Sequence, residues 1–137
     1  MPDRLRRVKI SEDPREETPR VIAIVDDDAS IRTAVDSLLR SRGYRVCTFE
    51  SAEALLGSSE LEGLSCVISD VRMPAIGGIQ LQRMLRAQGR TVPFIFVTAF
   101  PETGVRTRAM SGGAVCFLEK PFHGPTLLQC VERALHC

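Results

Sequence analysis

Four segments of the chain are apolar at almost every position and rich in β-branched or aromatic residues. They are VIAIV (21–25), CVIS (66–69), FIFVT (94–98) and AVCFL (114–118). Such runs predict strands that are buried on both faces, as in a parallel sheet. A further segment, RVCTF (45–49), alternates more regularly between polar and apolar residues, which predicts a strand at the edge of that sheet.

The segments between the strands carry the spacing of amphipathic helices. One apolar stripe runs along Ile31, Val35, Leu38 and Leu39, a second along Leu81, Met84 and Leu85, and a third along Leu127, Leu128, Val131 and Leu135. Ser30 is predicted to cap the first helix, which ends at Gly43. The segment 101–111 is the weakest helix pattern, because Gly104 lies inside it.

The repeated order of strand and helix predicts right-handed βαβ units in one open parallel sheet with helices on both faces. A length of 137 residues fits one such domain. Residues 1–20 differ, since they hold six basic and five acidic residues and few apolar ones. We therefore predict a disordered charged leader at 1–20 and a folded domain at 21–137.

Composition limits the class of protein. Apolar residues make up 44% of the chain and charged residues 26%, as in ordinary globular domains. No apolar run approaches the ~18–20 residues of a membrane span, and the leader lacks the apolar centre of a secretory signal. The net charge of +1 predicts no basic surface for nucleic acid. We expect a cytoplasmic domain that binds neither membrane nor nucleic acid.

The cysteines favour a reduced protein. There are five of them, and no CxxC motif occurs among Cys47, Cys66, Cys116, Cys130 and Cys137. Three fall in apolar strand-like runs, which is typical of buried, reduced thiols. A metal cluster of Cys130, His136 and Cys137 is an alternative that matches no established ligand spacing.

Polar residues follow the predicted strands at their carboxyl ends. They are Asp26, Asp27 and Asp28 after the first strand, Asp70 after CVIS, Thr98 at the end of FIFVT, and Glu119 and Lys120 after AVCFL. Ligands of an open parallel sheet bind outside these ends. Four of the five aspartates in residues 21–137 lie there, and the fifth is Asp36. These residues are therefore the candidate site.

Carboxylates gathered at one edge of a sheet repel one another, and a bound divalent cation removes that repulsion. Oxygen ligands in a small site favour Mg²⁺ or Mn²⁺. The alternative for Asp26–Asp28 is an acidic cluster favoured by the dipole at a helix N-terminus. That alternative accounts for Asp28, but it explains neither Asp70 nor Lys120.

Lys120 stands out by residue type. Only Lys9 and Lys120 are lysines among the 18 basic residues, and all the others are arginines. An ammonium group is a compact charge that suits a phosphate oxygen, whereas a guanidinium is a broad planar fork. Together with a carboxylate acceptor, a metal ion and the hydroxyl of Thr98, Lys120 predicts phosphoryl transfer.

Four motifs in this order resemble the receiver domain of bacterial two-component response regulators, most closely that of the nitrogen-fixation regulator class. They are IVDDD (24–28), SDVRMP (69–74) through Gly78, VTA (97–99) and FLEKPF (117–122). The resemblance covers about residues 21–136. It implies a flavodoxin-like (βα)5 fold of the α/β class, with a doubly wound, five-stranded parallel sheet in the order 2-1-3-4-5.

The resemblance also implies a metal site and a phosphoacceptor. Asp70 is the expected phosphoacceptor and a Mg²⁺ ligand. Asp27 is expected to bind the ion directly, Asp26 mainly through water, and Arg72 through its backbone carbonyl.

Three further residues receive roles from the resemblance. Lys120 is expected to pair with a phosphate oxygen, and Thr98 to bind the phosphoryl group after transfer. Phe117 is the expected switch aromatic, which swings inward as Thr98 moves. The Lys120–Pro121 peptide bond is expected to be cis.

The implied function is phosphorelay signal transduction. The phosphoryl donor is a sensor histidine kinase, a histidine phosphotransfer protein or a small compound such as acetyl phosphate. Phosphorylation adds roughly −1.5 to −2 charge. It then shifts the surface of the fourth helix, fifth strand and fifth helix toward a form that binds a downstream protein or a second copy of the chain. The domain accepts and loses its own phosphoryl group, so no enzymatic turnover is expected.

Some positions depart from the family pattern. Ala75 and Gly77 replace more polar residues, the segment 101–104 is an atypical start for the fourth helix, and Phe100 occupies a position that is often polar or charged. Phe100 and Arg72 flank the approach of hydrolytic water, so we expect Phe100 to alter the lifetime of the phosphoryl group. Arg106 and Arg108 are interpreted as a solvated helix face.

Three alternatives stay open. A phosphatase of the haloacid dehalogenase type would use Asp26-x-Asp28-x-Ser30, Thr98 and Lys120, but only Glu132 is acidic after the lysine. A degenerate receiver would serve only as an interaction module, which the intact set of site residues argues against. The chain is also either a stand-alone receiver, which we favour, or the excised receiver of a DNA-binding transcription factor.

Overall fold

The computed structural model describes residues 20–136, so residues 1–19 of the predicted leader and Cys137 lie outside the described residues. Five strands occur in the described part. They are β1 (Val21–Val25), β2 (Arg45–Phe49), β3 (Leu64–Asp70), β4 (Phe94–Thr98) and β5 (Cys116–Glu119). The predicted strands are confirmed, and β3 extends through Asp70, which places that carboxylate on the last residue of the strand.

Each strand except β5 is followed by helical structure that leads to the next strand, and α5 follows β5. The helices are α1 (Ala29–Ser41), α2 (Ala52–Leu56), α3 (Gly78–Ala87), α4 (Val105–Ser111) and α5 (Gly124–Leu135), with a 3-10 helix at Ser59–Gly63 after α2. The second connection is therefore split into two short helical pieces.

The strands form one parallel sheet in the order β2-β1-β3-β4-β5. The predicted order is confirmed, and β2 lies at an edge, as its alternating pattern indicates. β1 and β3 are neighbours in the middle of the sheet, with Val25 opposite Ser69. Because the strands are parallel, the loops after β1, β3, β4 and β5 leave the sheet on the same side.

The core has two layers, one on each face of the sheet. Ile22 and Ile24 of β1 pack in a layer with apolar residues of α1 and α5. Ala23 and Val25 point to the other face, where α2, α3 and α4 complete the second layer. Each fully buried Ile or Leu side chain contributes about 1.5–3 kcal/mol, so both faces of the sheet hold the loops of the candidate site in place.

Two helix starts differ from the predictions. Asp28, and not Ser30, caps α1, because Asp28 has extended backbone and its carboxylate accepts a hydrogen bond from the Ser30 N–H at 2.9 Å. Gly104 lies before α4 and not inside it. Its φ of 86° is in the left-handed region, which glycine adopts without steric cost. α4 is consequently short and begins at Val105.

The cysteines also differ from the prediction. Cys116 at the start of β5 and Cys130 on α5 form a disulfide across the packed pair of elements, so the expectation of reduced thiols is wrong for this pair. Cys130 is therefore not available for the alternative metal cluster. Cys47 and Cys66 are free thiols.

None of the helices within residues 20–136 has the length and apolar character that crossing a membrane requires.

Candidate functional site

The carboxyl ends of four neighbouring strands bring the predicted site residues together. Asp26 and Asp27 follow β1, Asp70 ends β3, Thr98 ends β4 and Lys120 follows β5. A cleft of about 390 Å³ opens at this edge of the sheet. It is lined by Asp27, Asp28, Asp70, Arg72, Ala99, Phe100 and Lys120. The parallel topology therefore brings residues that are far apart in the sequence together in one pocket.

Lys120 connects the first and third strands through two ion pairs. Its Nζ lies 2.9 Å from Asp26 Oδ2 and 3.3 Å from Asp70 Oδ2. The Lys120 side chain is 14% exposed and that of Asp26 is 1% exposed. Because water screens this contact poorly, the ammonium group stabilises the two carboxylates much more than a surface lysine would.

The surroundings of Asp70 disfavour its ionised form. Burial raises the pKa of the Asp70 carboxyl, and the neighbouring Asp26 carboxylate raises it further. The ammonium group of Lys120 and the Arg72 N–H, which donates to Asp70 Oδ1 at 3.3 Å, oppose this shift without cancelling it. The site therefore holds a carboxylate that gains stability from a nearby cation.

The surroundings of Lys120 favour its ionised form, in contrast to those of Asp70. Burial alone would lower the pKa of its ammonium group, but the hydrogen bond and charge of Asp26, followed by those of Asp70, raise it above the ordinary value. Lys120 is therefore positively charged throughout the physiological pH range. It supplies a fixed cation at the bottom of the cleft.

Three carboxylates in the described part of the chain form a group that fits a divalent cation. One oxygen each from Asp26, Asp27 and Asp70 lies within 4.8 Å of the others, and Asp27 is the exposed member. An all-oxygen donor set of this size has the chemistry that Mg²⁺ prefers. Asp28 is not in the group, because its carboxylate caps α1.

The backbone around the acidic group is held by local hydrogen bonds. Asp26 Oδ1 accepts from the Asp28 N–H at 2.9 Å, and the guanidinium of Arg32 donates to the Asp26 carbonyl at 2.6 Å. On the β3 side, a side chain at Gly78 would collide with the Asp70 carbonyl and lie 2.9 Å from Ser69 Oγ. Glycine at 78 therefore allows α3 to begin directly against the end of β3.

The rim of the cleft is formed by three residues on two loops. The Arg72 guanidinium lies over the Phe100 ring, with Cζ 5.1 Å from the ring centroid. Arg72 Nη1 also pairs with Glu102 Oε2 at 3.2 Å. Phe100 is 59% exposed, so its ring is held at the rim of the cleft by Arg72 and not by burial in the core.

Thr98 and Phe117 lie on the neighbouring strands β4 and β5, two residues apart in register, since Phe117 is paired with Phe96 and Thr98 with Glu119. Thr98 is buried, and its Oγ1 accepts a hydrogen bond from the Phe100 N–H at 3.0 Å. The Phe117 ring is buried and lies under Arg106, whose Cζ is 5.6 Å from the ring centroid. The Lys120–Pro121 bond is cis, which confirms that prediction.

Sequence reasoning missed two arginines at the site. Arg106 and Arg108 are exposed, as the interpretation of a solvated helix face predicts, but Arg106 also contacts the Phe117 ring and donates to the Phe117 carbonyl at 3.4 Å. Arg32 contacts the Asp26 backbone. No signal in the sequence distinguishes either residue from the other arginines, because both sit on polar helix faces.

Comparison with known proteins identifies the family. A sequence model described as "Response regulator receiver domain" matches residues 22–132. The chain is a response regulator receiver domain. The transcriptional regulatory protein FixJ of Bradyrhizobium diazoefficiens is 41% identical to it over 116 residues, which are 83% of this chain and 56% of FixJ. The predicted family is thereby confirmed.

Solved structures show the same likeness. The crystal structure titled FixJ-N has a TM-score of 0.77 and 31% identity, and the match covers 85% of this chain and 94% of that one. The response regulator StyR has a TM-score of 0.81 and 39% identity, with 86% of this chain and 60% of StyR covered. The receiver spans about half the length of the curated relatives that it matches.

Replacing Asp70 by asparagine is expected to stabilise the receiver in the presence of a metal chelator near neutral pH. Because the folded-state pKa of Asp70 is raised, the ionised carboxylate makes folding less favourable than a neutral amide does. We expect Asp70→Asn to raise the melting temperature by roughly 2–6 °C. The gain should shrink as the pH falls through the raised folded-state pKa toward the ordinary value, where the wild-type carboxyl is also neutral.

Thermal unfolding followed by circular dichroism measures this effect. Asp36→Asn is the matched control, since Asp36 lies on α1 and pairs with Arg40 at a half-exposed site. It should leave the melting temperature nearly unchanged or slightly lower. An Asp70→Asn protein that melts below the wild type at neutral pH would contradict the electrostatic description of the site.

Proposed function

We propose that this receiver accepts a phosphoryl group on Asp70 in a reaction that requires Mg²⁺ or Mn²⁺. The observation that carries the proposal is the position of Lys120 Nζ, 2.9 Å from Asp26 Oδ2 and 3.3 Å from Asp70 Oδ2, at the bottom of an open cleft. Membership of the response regulator receiver family supports the same role.

The acceptor step is a single displacement. An Oδ atom of Asp70 forms a new O–P bond while the N–P bond of a donor phosphohistidine breaks, and the imidazole leaves with the electron pair of that bond. Lys120 already lies beside the acceptor oxygen, so it balances charge on the phosphoryl oxygens without reorganising. Acetyl phosphate undergoes the same displacement, with acetate as the leaving group.

The ion would be held by Asp26, Asp27 and Asp70, with the Arg72 carbonyl as a further ligand. When bound, Mg²⁺ supplies positive charge that offsets the carboxylates and the phosphoryl oxygens. Asp27 is the exposed carboxylate of the group, and both oxygens of Asp26 already accept hydrogen bonds, from the Asp28 N–H and from Lys120. This difference between the exposed carboxylate of Asp27 and the hydrogen-bonded carboxylate of Asp26 supports direct binding of the ion by Asp27 and binding through water by Asp26.

The proposed output runs from Thr98 to the surface formed by α4, β5 and α5. The Thr98 hydroxyl moves to the new phosphoryl group and gives up its hydrogen bond with the Phe100 N–H. Phe117, which is buried in this structure beneath Arg106, changes its packing as Thr98 moves. Since α4 has only seven residues and starts after a left-handed glycine, its position is the easiest of the three elements to change.

The proposed partners follow from this reaction. The donor is a sensor histidine kinase or a histidine phosphotransfer protein. The changed surface binds a downstream protein or a second receiver. We place the domain in the cytoplasm, where such kinases present their phosphohistidine, and we expect no direct contact with nucleic acid by residues 20–136. The folded domain begins at about residue 21, and the leader before it is outside the proposed reaction.

Intact-mass measurement after incubation with acetyl phosphate tests the proposal. Wild-type protein with Mg²⁺ should gain one phosphoryl group, and neither Asp70→Asn with Mg²⁺ nor the wild type with a chelator should gain any. If acetyl phosphate gives no increment, the same assay with phosphorylated kinase decides, and failure with both donors refutes the proposal. Multiple turnover of a generic phosphomonoester would instead favour a phosphatase of the haloacid dehalogenase type.

Phe100→Ala is expected to shorten the lifetime of the phosphoryl group several-fold. The ring of Phe100 and the guanidinium of Arg72 lie together at the rim of the cleft, with Cζ 5.1 Å from the ring centroid, and thereby hinder the approach of hydrolytic water. Removing the ring opens that approach and releases Arg72. Loss of the phosphorylated mass after removal of the donor measures the rate. Phe100→Leu keeps apolar bulk and should lie between the two, whereas an unchanged rate in Phe100→Ala would show that the rim does not control hydrolysis.

A further inference from the structure

We propose that Cys116 and Cys130 form a reversible redox site that exchanges with low-molecular-weight disulfides. Cys116 is the first residue of β5 and Cys130 lies on α5, and the two form a disulfide with their Cα atoms 6.1 Å apart. That separation is in the ordinary range for a disulfide. In reducing compartments, protein disulfides are usually transient and act in catalysis or redox sensing. A bridge in a cytoplasmic receiver therefore points to redox chemistry.

The surroundings of the pair differ from those of the free thiols. Arg133 Nη1 lies 3.4 Å from Cys116 Sγ, and a guanidinium beside sulfur favours the thiolate, which is the form that attacks disulfides. At Cys66, burial is the cause that raises the pKa of the thiol to about 12. Burial also raises the pKa of the Cys47 thiol, followed in size by the charge of Glu60. Cys116 therefore has a cation beside its sulfur, whereas burial raises the thiol pKa of both Cys47 and Cys66.

The exchange balances in two steps. The Cys116 thiolate attacks one sulfur of an external disulfide, such as glutathione disulfide, and releases one thiolate. The Cys130 thiolate then attacks the Cys116 sulfur of the mixed disulfide and releases the second. Two protein thiols are oxidised and one small disulfide is reduced to two thiols, and the two protons that leave the protein thiols protonate the two released thiolates. Reduced glutathione reverses the sequence.

The disulfide joins the two ends of a segment that carries residues of the candidate site. Residues 116 and 130 are 14 positions apart, and the segment between them carries both Phe117 and Lys120. Both cysteines are buried, so exchange requires local opening of α5 away from β5 and is expected to be slow. Oxidation ties α5 to β5, two of the three elements of the proposed output surface. This last consequence rests on the proposed function, as does the cytoplasmic placement from which the redox role of the bridge is inferred.

Equilibration of the full chain in glutathione buffers of graded redox ratio tests the proposal. Free thiols are blocked by alkylation after equilibration, and peptide mass spectrometry reports the bridged fraction of Cys116 and Cys130. We expect a single transition from two thiols to one bridge within the range of ratios where the protein stays folded. A pair that stays unbridged at the most oxidising ratio, or bridged at the most reducing one, would overturn the proposal.

Matched variants assign the effect to this pair. The oxidised wild type should melt several degrees above the reduced protein, because the bridge restricts the unfolded chain. Cys47→Ser should keep this difference, and Cys116→Ser should abolish it. Loss of the difference in Cys47→Ser would assign the effect to another thiol and contradict the proposal. If Cys116→Ser does not fold, the wild-type redox titration still decides. The titration uses no phosphoryl donor, so its outcome is independent of the proposed function.

Discussion

Lys120→Arg is expected to slow the phosphorylation of Asp70 by acetyl phosphate at least about tenfold, which corresponds to about 1.4 kcal/mol in the activation barrier. The substitution keeps the positive charge and changes only its shape. Lys120 Nζ fits between Asp26 Oδ2 at 2.9 Å and Asp70 Oδ2 at 3.3 Å, with its side chain 14% exposed. A planar guanidinium is wider than an ammonium group and cannot occupy that position without displacing one of the carboxylates.

The rate is measured as the initial increase in phosphorylated mass in Mg²⁺ buffer. Lys9→Arg makes the same chemical change at the other lysine of the chain, outside the described residues, and should keep the wild-type rate. Circular dichroism checks that Lys120→Arg is folded. A folded Lys120→Arg protein with the wild-type rate would show that only the charge at position 120 matters, and our argument from the ammonium group would be wrong.

Asp27→Ala is expected to weaken Mg²⁺ binding at least about tenfold, or by about 1.4 kcal/mol. Asp26, Asp27 and Asp70 each place an oxygen within 4.8 Å of the others, and Asp27 is the exposed one. Both oxygens of Asp26 already accept hydrogen bonds, so Asp27 offers the carboxylate that an incoming ion reaches with the least rearrangement. Removing it takes away one negative charge and one direct ligand.

Isothermal titration calorimetry with MgCl₂ measures the affinity. The magnesium-dependent rise in melting temperature gives an independent reading, since a ligand that binds only the folded state stabilises it. Asp36→Ala removes an aspartate from the middle of α1, where Asp36 Oδ1 pairs with Arg40 at 2.6 Å. It should titrate like the wild type. Equal affinities for Asp27→Ala and the wild type would mean that the metal site is assigned to the wrong residues.

Much of the fold could be predicted because each strand or helix is indicated by the apolar pattern of its own short segment of sequence. The apolar runs at 21–25 and 94–98 are strands β1 and β4 as predicted, since a strand in the middle of a parallel sheet is apolar on both faces. The location of the site residues could be predicted from the topology of the sheet. Because parallel strands have their carboxyl ends at one edge, residues that follow those strands, such as Asp26, Asp70 and Lys120, lie near one another. Their roles in phosphoryl transfer stay predictions.

Other features of the site could not be predicted because they depend on competition between neighbours. Asp28 caps α1 although Ser30 is also a good capping residue, and the backbone conformation at 28 decides between them. Arg106 reaches the Phe117 ring, while Arg108 on the same helix has the same charge and a similar sequence context. The path of the backbone determines which residue caps α1 and which arginine contacts Phe117, and the residue pattern alone does not specify that path.

The order of the elements, the parallel sheet and the edge at which the acidic residues and Lys120 lie can be derived from the amino-acid sequence alone. These properties follow from apolar periodicity and from the order of the segments along the chain. Three contacts become known only from the packed structure: Lys120 lies between Asp26 and Asp70, Arg72 holds Phe100 at the rim of the cleft, and Cys116 is bonded to Cys130. Each of these depends on distances between side chains from different strands and helices, which exist only after the layers have packed.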